Sequence, residues 1–254
     1  MMKLQDKVVV VTGGAQGLGL TMSLALAARG ARLALVDLNR ETLDDAVDRC
    51  RHAGGEARAY LANIADETQV VAVFEQILED HGSINGLINN AGVLRDGMLV
   101  KARDGEVLKK LSLAEWQSVI DVNLTGVFLC AREAAAAMIR SGSDGVIINI
   151  SSVSRGGNVG QSNYSAAKAG VAALVVTWAR ELARHGIRCM GIAPGFINTE
   201  MVASMKPEAL ARMTAKIPLG RLGTAEEIAA TALFIFENDY LTGRVLETDG
   251  GIRI

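Results

Sequence analysis

Short runs of β-branched and aliphatic residues alternate, along nearly the whole chain, with stretches in which apolar positions recur every three or four residues. The runs fall at Val8 to Val11, Arg32 to Val36, Ala57 to Leu61, Gly86 to Ile88, Val146 to Ile150, Ile187 to Ile192 and Arg244 to Glu247, and they predict seven strands. A strand that is apolar at successive positions is covered on both faces. With helices between such strands, the connections are right-handed crossovers, so the pattern predicts an α/β fold with a doubly wound, seven-stranded parallel sheet and helices on both faces.

Helix starts are marked by Asp66-Glu-Thr-Gln69, Ser112-Leu-Ala-Glu115 and Thr224-Ala-Glu-Glu227, each with an oxygen acceptor three residues before Glu or Gln. One stretch breaks the alternation. Leu99 to Leu111 carries Asp104-Gly105 between two alternating segments, the signal of a β-hairpin. Such a hairpin protrudes at the rim of a functional site, at a subunit contact, or simply into solvent. No long linker, low-complexity tract or internal repeat interrupts the chain, so residues 1–254 are expected to form one domain.

Composition narrows the partners. Half of the 254 residues are apolar, 21% are charged and the formal charge is −2, which disfavours disorder and a nucleic-acid footprint. The stretch Ala169 to Ala179 is too short to span a bilayer and is flanked by Lys168 and Arg180, so no membrane span is expected. Met1 lies only a few residues before the first strand, too close for a signal peptide, and a cytoplasmic location is expected. Cys50, Cys130 and Cys189 are odd in number and far apart, which suits reduced core thiols. No metal ligand set is assigned.

The first strand runs into Thr12-Gly-Gly-Ala-Gln-Gly-Leu-Gly19 and then a helix from about Leu20 to Ala28. In this Rossmann-like turn Gly13 makes the bend, Gly17 lets backbone approach a diphosphate, and Gly19 allows close helix packing, with the phosphates at a helix N-terminus. Gln16 and Leu18 complete the loop. Asp37, eighteen residues after Gly19 at the end of the second strand, is placed to accept hydrogen bonds from an adenosine ribose. Its charge repels a 2′-phosphate and the loop offers no Arg or Lys, so NAD is favoured over NADP, with Arg40 the nearest reservation. Asp37 could equally cap the next helix.

Tyr164 and Lys168 lie four residues apart, on a helix face that continues through Val171 and Val175. That face is apolar, so the lysine is not a solvated charge. A phenol with a pKa near 10 needs such a neighbour to exchange protons near neutrality. Asn123 falls on the stripe Trp116, Ile120, Val127, which points an amide into an apolar layer where it must be hydrogen-bonded. It could there mend helix backbone instead of serving a site.

With these residues in place the chain resembles the single-domain type of the short-chain dehydrogenase/reductase family, and within it the 3-oxoacyl carrier-protein reductases and related NAD-linked alcohol dehydrogenases. The resemblance rests on the glycine turn, Asn89-Asn-Ala-Gly92, Asn123, Ser151-Ser152, Tyr164-x-x-x-Lys168, Pro194-Gly195 and Asp249-Gly-Gly251. It implies an oxidoreductase that moves hydride between a nicotinamide cofactor and a secondary alcohol or ketone, a 3-oxoacyl thioester among the candidates. Tyr164 would be the general acid/base, Ser152 would bind the substrate oxygen, Lys168 would hold the nicotinamide ribose and lower the tyrosine pKa, and Asn123 would keep a relay water. Asn63 and Ile64 would flank the adenine, Asn90 and Gly92 the nicotinamide ribose, and Ile197 and Thr199 the carboxamide. The segment from Asn198 to about Pro218 would close on substrate. A homotetramer built on the helices near 113–140 and 163–184 is implied as well.

A serine thirteen residues before the tyrosine is Ser151, whereas alignment on the strand end selects Ser152. Ser152 is preferred, because adjacent strand residues face opposite ways and a shortened loop is easier to absorb than a register slip in a central strand. Arg155, Asn158 and Gln161 are expected to line the pocket. Acyl thioester, polyol, hydroxy acid and steroid substrates stay open, and so does a non-catalytic NAD-binding regulator of the same fold.

Overall fold

The computed structural model describes residues 2–198 and 207–253. Its main sheet contains β1 (Val8–Thr12), β2 (Arg32–Asp37), β3 (Glu56–Leu61), β4 (Gly86–Asn89), β7 (Gly145–Ile150), β8 (Ile187–Pro194) and β9 (Arg244–Thr248), in the order β3-β2-β1-β4-β7-β8-β9. Every pairing is parallel. All seven expected strands are therefore present.

The helices are α1 (Gly17–Ala27), α2 (Arg40–His52), α3 (Glu67–His81), α4 (Leu113–Ile120), α5 (Val127–Arg140), α6 (Ser162–Leu182), α7 (Pro207–Thr214) and α8 (Ala225–Glu237). Alternate strand residues feed two cores. Val9, Val11, Leu33, Leu35 and Ile192 pack with Leu26, Leu43, Ile228 and Phe236 on one face. Val10, Ala34, Leu87 and Ile147 pack with Val70, Phe74, Leu129 and Met138 on the other.

Chain order reverses between β1 and β4: β2 and β3 lie to one side of β1, and β4, β7, β8 and β9 to the other. In a doubly wound sheet that point leaves a crevice beyond the strands' C-terminal ends.

The expected hairpin is β5 (Val100–Arg103) and β6 (Glu106–Lys110), antiparallel, with a bulge at Lys101/Ala102. Asp104 and Gly105 both have positive φ, 53° and 83°, as a two-residue hairpin turn of matching twist requires. Every residue of both strands is exposed. Its base is fixed where Leu111 N donates to Leu99 O and Gly97 N to Gly160 O.

The helix expected over 113–140 is continuous but contains a π turn, Asp121–Gly126, between α4 and α5. This 28-residue stretch, rather than Ala169 to Ala179, is long and apolar enough to cross a membrane, yet more than half of its most apolar window is buried inside the protein. Its apolar face is committed to the core. The first helix begins at Gly17, three residues earlier than expected.

Candidate active site

The segments that follow β1, β2, β3, β4, β7 and β8 converge on one cavity of about 620 Å³. One end is made by Gly13, Gln16, Gly17, Leu18, Asp37, Asn63 and Ile64, the other by Ser152, Gln161, Tyr164, Phe196 and Ile197, with Asn90 and Gly92 between.

The glycine turn is as narrow as its sequence demands. Gly13 has φ 62°, and a Cβ on Gly19 would strike Gly13 O and Asn90 Nδ2. Asn90 knits this turn to the sheet, since its Nδ2 donates to Thr12 O and Gly13 O at 3.2 and 3.0 Å. Gly17 opens α1, whose N-cap, Gln16, makes no side-chain cap. Free N–H groups and the positive end of a helix thus face the cavity, which suits a diphosphate.

Asp37 does not cap α2. Asn39 does, accepting from Thr42 N at 3.1 Å. Asp37 instead accepts from Ala15 N and Leu38 N at 3.2 and 2.8 Å, so its carboxylate is held at the cavity wall by the glycine loop itself. Arg40 is engaged elsewhere, paired with Asp44 at 3.2 Å. Asn63 lines the cavity with its carbonyl already accepting from Ala65 N. Ile64 packs against Gly126, where a Cβ would meet it at 2.9 Å. Thr199 lies outside the described residues, as does much of the segment expected to close on substrate.

Asn123 is fully buried in the π turn. Its Oδ1 accepts from Val93 N at 2.8 Å and its Nδ2 donates to Val93 O at 2.9 Å, as a second strand would. The amide mends loop backbone beyond β4, not helix backbone. It stands behind the wall that Gly92, Val93 and Val122 present to the cavity.

Both serines find partners, on opposite sides. Ser151 Oγ donates to Lys168 O at 2.8 Å and is buried, tying the end of β7 to α6. Ser152 Oγ accepts from Ser154 N at 3.1 Å and also acts on the Tyr164 phenol, drawing its pKa down. Burial outweighs this and pushes the phenol above its usual value, with the negative charge of Asp96 adding to the rise.

Lys168 is buried and paired, as its apolar helix face requires. It is 3% exposed, its Nζ donates to Ile150 O at 2.7 Å, and it lies 5.6 Å from the centroid of the Tyr164 ring. Burial lowers its own pKa to about 8. One Nζ hydrogen bond goes to the carbonyl at the end of β7.

Of the three residues expected along the pocket, only Gln161 lines it. Arg155 pairs with Glu247 on β9 at 2.7 Å, and Asn158 donates to Gln161 Oε1 at 3.0 Å. Sequence reasoning missed Leu94, Val153 and Phe196, which supply apolar wall. Phe196 follows Pro194-Gly195 directly and could have been found by position; Leu94 sits in a loop and Val153 opens a single 3-10 turn, neither long enough to show periodicity. The three cysteines are buried and unpaired, and burial raises the thiols to about 11 at Cys50 and about 12 at Cys130 and Cys189.

The sequence profile of the short chain dehydrogenase family matches residues 7–210. The 3-oxoacyl-[acyl-carrier-protein] reductase of Thermotoga maritima is 39% identical over 256 residues, covering 100% of both chains. The enzyme of the same name from Synechocystis is 40% identical and covers 99% of each. The (3R)-3-hydroxyacyl-CoA dehydrogenase of Rattus norvegicus is 38% identical, covering 99% of this chain and 98% of its own. Among solved structures, levodione reductase superposes with a TM-score of 0.88 at 36% identity over 98% of each chain.

Proposed function

The chain belongs to the short-chain dehydrogenase family, and from that premise we propose that it interconverts a secondary alcohol and a ketone, using NAD(H) in preference to NADP(H). The observation that carries this reading is that Ser152 and Tyr164 share one cavity with an uncapped helix N-terminus and a fixed carboxylate, Asp37. The donor set fits a dinucleotide. The first turn of α1 offers N–H groups to phosphate, and Asp37 offers oxygens to a ribose diol while opposing a 2′-phosphate.

Bound there, the nicotinamide cofactor supplies or accepts the hydride. The chain's own residues handle the proton. In the reducing direction the Tyr164 phenol gives its proton to the substrate oxygen while the Ser152 hydroxyl donates a hydrogen bond to that atom. A raised phenol pKa keeps the donor loaded at neutral pH. The Lys168 ammonium, held at 5.6 Å from the ring, stabilises the phenolate that remains. Asn123 fixes the loop at Val93 and so the cavity wall opposite the tyrosine.

A 3-oxoacyl thioester is the substrate suggested by the relatives' names. The reading also includes a cytosolic homotetramer, for which sedimentation at micromolar concentration is the check. Absorbance of reduced nicotinamide, followed with a panel of 3-oxo esters and secondary alcohols and with NAD and NADP side by side, tests the central reading. Turnover is expected with NAD ahead of NADP. Tight cofactor binding without turnover of any member of the panel would favour a regulator instead.

A further inference from the structure

Gln161 stands three residues before Tyr164 at the head of α6, 9% exposed and facing the same cavity. Its carboxamide is held from both ends. Nε2 donates to both carboxylate oxygens of Asp96, at 3.2 and 3.1 Å, and Oε1 accepts from Asn158 Nδ2 at 3.0 Å. Backbone contacts on either side of Asp96 tighten the arrangement: Asn163 Nδ2 donates to Arg95 O at 3.1 Å, and Gly97 N to Gly160 O at 2.8 Å. Asp96 is solvent-exposed and does not itself line the cavity, yet it is held by Gln161, which does. Its charge reaches the Tyr164 phenol, which it pushes toward a higher pKa.

This corner is rich in acceptors and poor in donors. A carboxylate only accepts, and Gln161 Nε2 lies within hydrogen-bond distance of both oxygens of one. Among the described residues that line the cavity there is no Lys, Arg or His. The nearby cations are turned to other groups: Lys168 to Ile150 O, Arg155 to Glu247, and Arg95 to Leu94 O. A substrate carrying a second negative charge next to its carbonyl would feel Asp96 with no cation among the described lining residues to offset the repulsion, and it would give up hydration on entry.

We propose that Asp96, clamped by Gln161, is a specificity-determining positioning residue that rejects substrates with a free carboxylate beside the reacting carbonyl, so that the site serves neutral 3-oxo esters, thioesters or amides. This rests on the reading of Tyr164 as the proton donor to a bound ketone. It removes free hydroxy acids and 3-oxo acids from the substrate classes that the sequence leaves open.

The test compares methyl acetoacetate with the acetoacetate anion, a pair that differs in one charge, in the wild-type protein and in Asp96→Asn. Asparagine keeps an oxygen for Gln161 and loses the charge. The wild type is expected to favour the ester in kcat/KM, and Asp96→Asn to narrow the ester-to-acid ratio roughly fivefold, with the narrowing reduced by added salt as befits a partly screened charge. Damage to the fold would lower both substrates together and leave the ratio alone. An unchanged ratio in Asp96→Asn overturns the proposal.

Calorimetric binding of the same two compounds, with and without reduced cofactor, separates this proposal from its premise. Discrimination in binding that Asp96→Asn relaxes, with neither compound turned over, retains the charge filter and rejects hydride transfer. Turnover of both compounds at the same ratio in the two proteins rejects the filter and retains hydride transfer. Absence of binding by either compound rejects the filter as well.

Discussion

The Lys168 ammonium lies 5.6 Å from the centroid of the Tyr164 ring but donates its hydrogen bond to Ile150 O, at 2.7 Å. The spacing of four sets the two side chains on one face of α6, and the end of β7 decides where the ammonium points. Tyr164 is a half-buried phenol whose hydroxyl is in reach of Ser152. Tyr164→Phe keeps the ring and its packing and removes the hydroxyl that carries the proton. Turnover is expected to fall roughly a hundredfold or more, with the cofactor dissociation constant nearly unchanged by titration calorimetry. Retained turnover would remove Tyr164 from the chemistry.

The direction of the tyrosine's shift gives a pH signature. Reduction needs the protonated phenol and oxidation needs the phenolate, so a raised pKa keeps reduction level across neutrality and lets it decline in alkali. Alcohol oxidation should climb over the same alkaline range. Rates in both directions across a buffer series check this, and an oxidation optimum below neutrality would contradict it.

Lys168→Met removes a buried charge and keeps the length of the chain. Burial opposes the charged lysine, whose folded pKa of about 8 lies below its ordinary 10.5. The unfolded chain therefore holds the proton more tightly. The destabilisation is fully present below about 8 and is relieved as pH rises toward the unfolded value, so in the wild type this group adds stability with rising pH across that window. At neutral pH the variant should melt no lower than wild type while turnover collapses. Thermal melts at neutral and alkaline pH give the readout, and the difference between the proteins should shrink in alkali.

Ser151 and Ser152 should separate stability from catalysis. Ser151→Ala leaves Lys168 O without its buried side-chain partner, which costs on the order of 1 kcal/mol, or a few degrees in Tm for a chain of this size. Ser152→Ala should cost mainly kcat. Equal effects of the two on kcat would show that the reacting serine is not Ser152.

Asp37→Ser keeps an acceptor near Ala15 N and removes the charge. The kcat/KM ratio of NAD to NADP is expected to fall about tenfold, the effect of roughly 1.4 kcal/mol. An unmoved ratio would mean that the adenosine ribose lies elsewhere.

Asn123→Ala withdraws both hydrogen bonds to Val93 and leaves its N–H and C=O in need of partners. A loss of roughly 2 kcal/mol or more in urea unfolding is expected, with a raised KM because the wall beside Gly92 loosens. Wild-type stability would show that water replaces the amide at no cost.

Much of the site could be read along the chain because its parts are tied to strand ends. A glycine turn after β1, an acid at the last position of β2 and a serine after β7 follow directly from strands recognised by continuous apolar runs, and parallel pairing brings such ends to one edge. The hairpin was legible too, since Asp104-Gly105 carries the positive φ values that the turn needs. The π turn at Asp121–Gly126 was not, because apolar spacings of three and four persist through it.

What the sequence determined by itself, then, is which residues adopt which local conformation and which strand end each one follows, because those are governed by spacing, side-chain type and backbone freedom over a few neighbours. Where Lys168 points, what Asn123 holds, and which residues face Gln161 depend on atoms far away in the chain: Ile150, Val93 and Asp96. Those pairings were decided only by the tertiary structure, since a hydrogen bond forms or fails over tenths of an ångström, a distance that no spacing along the chain encodes.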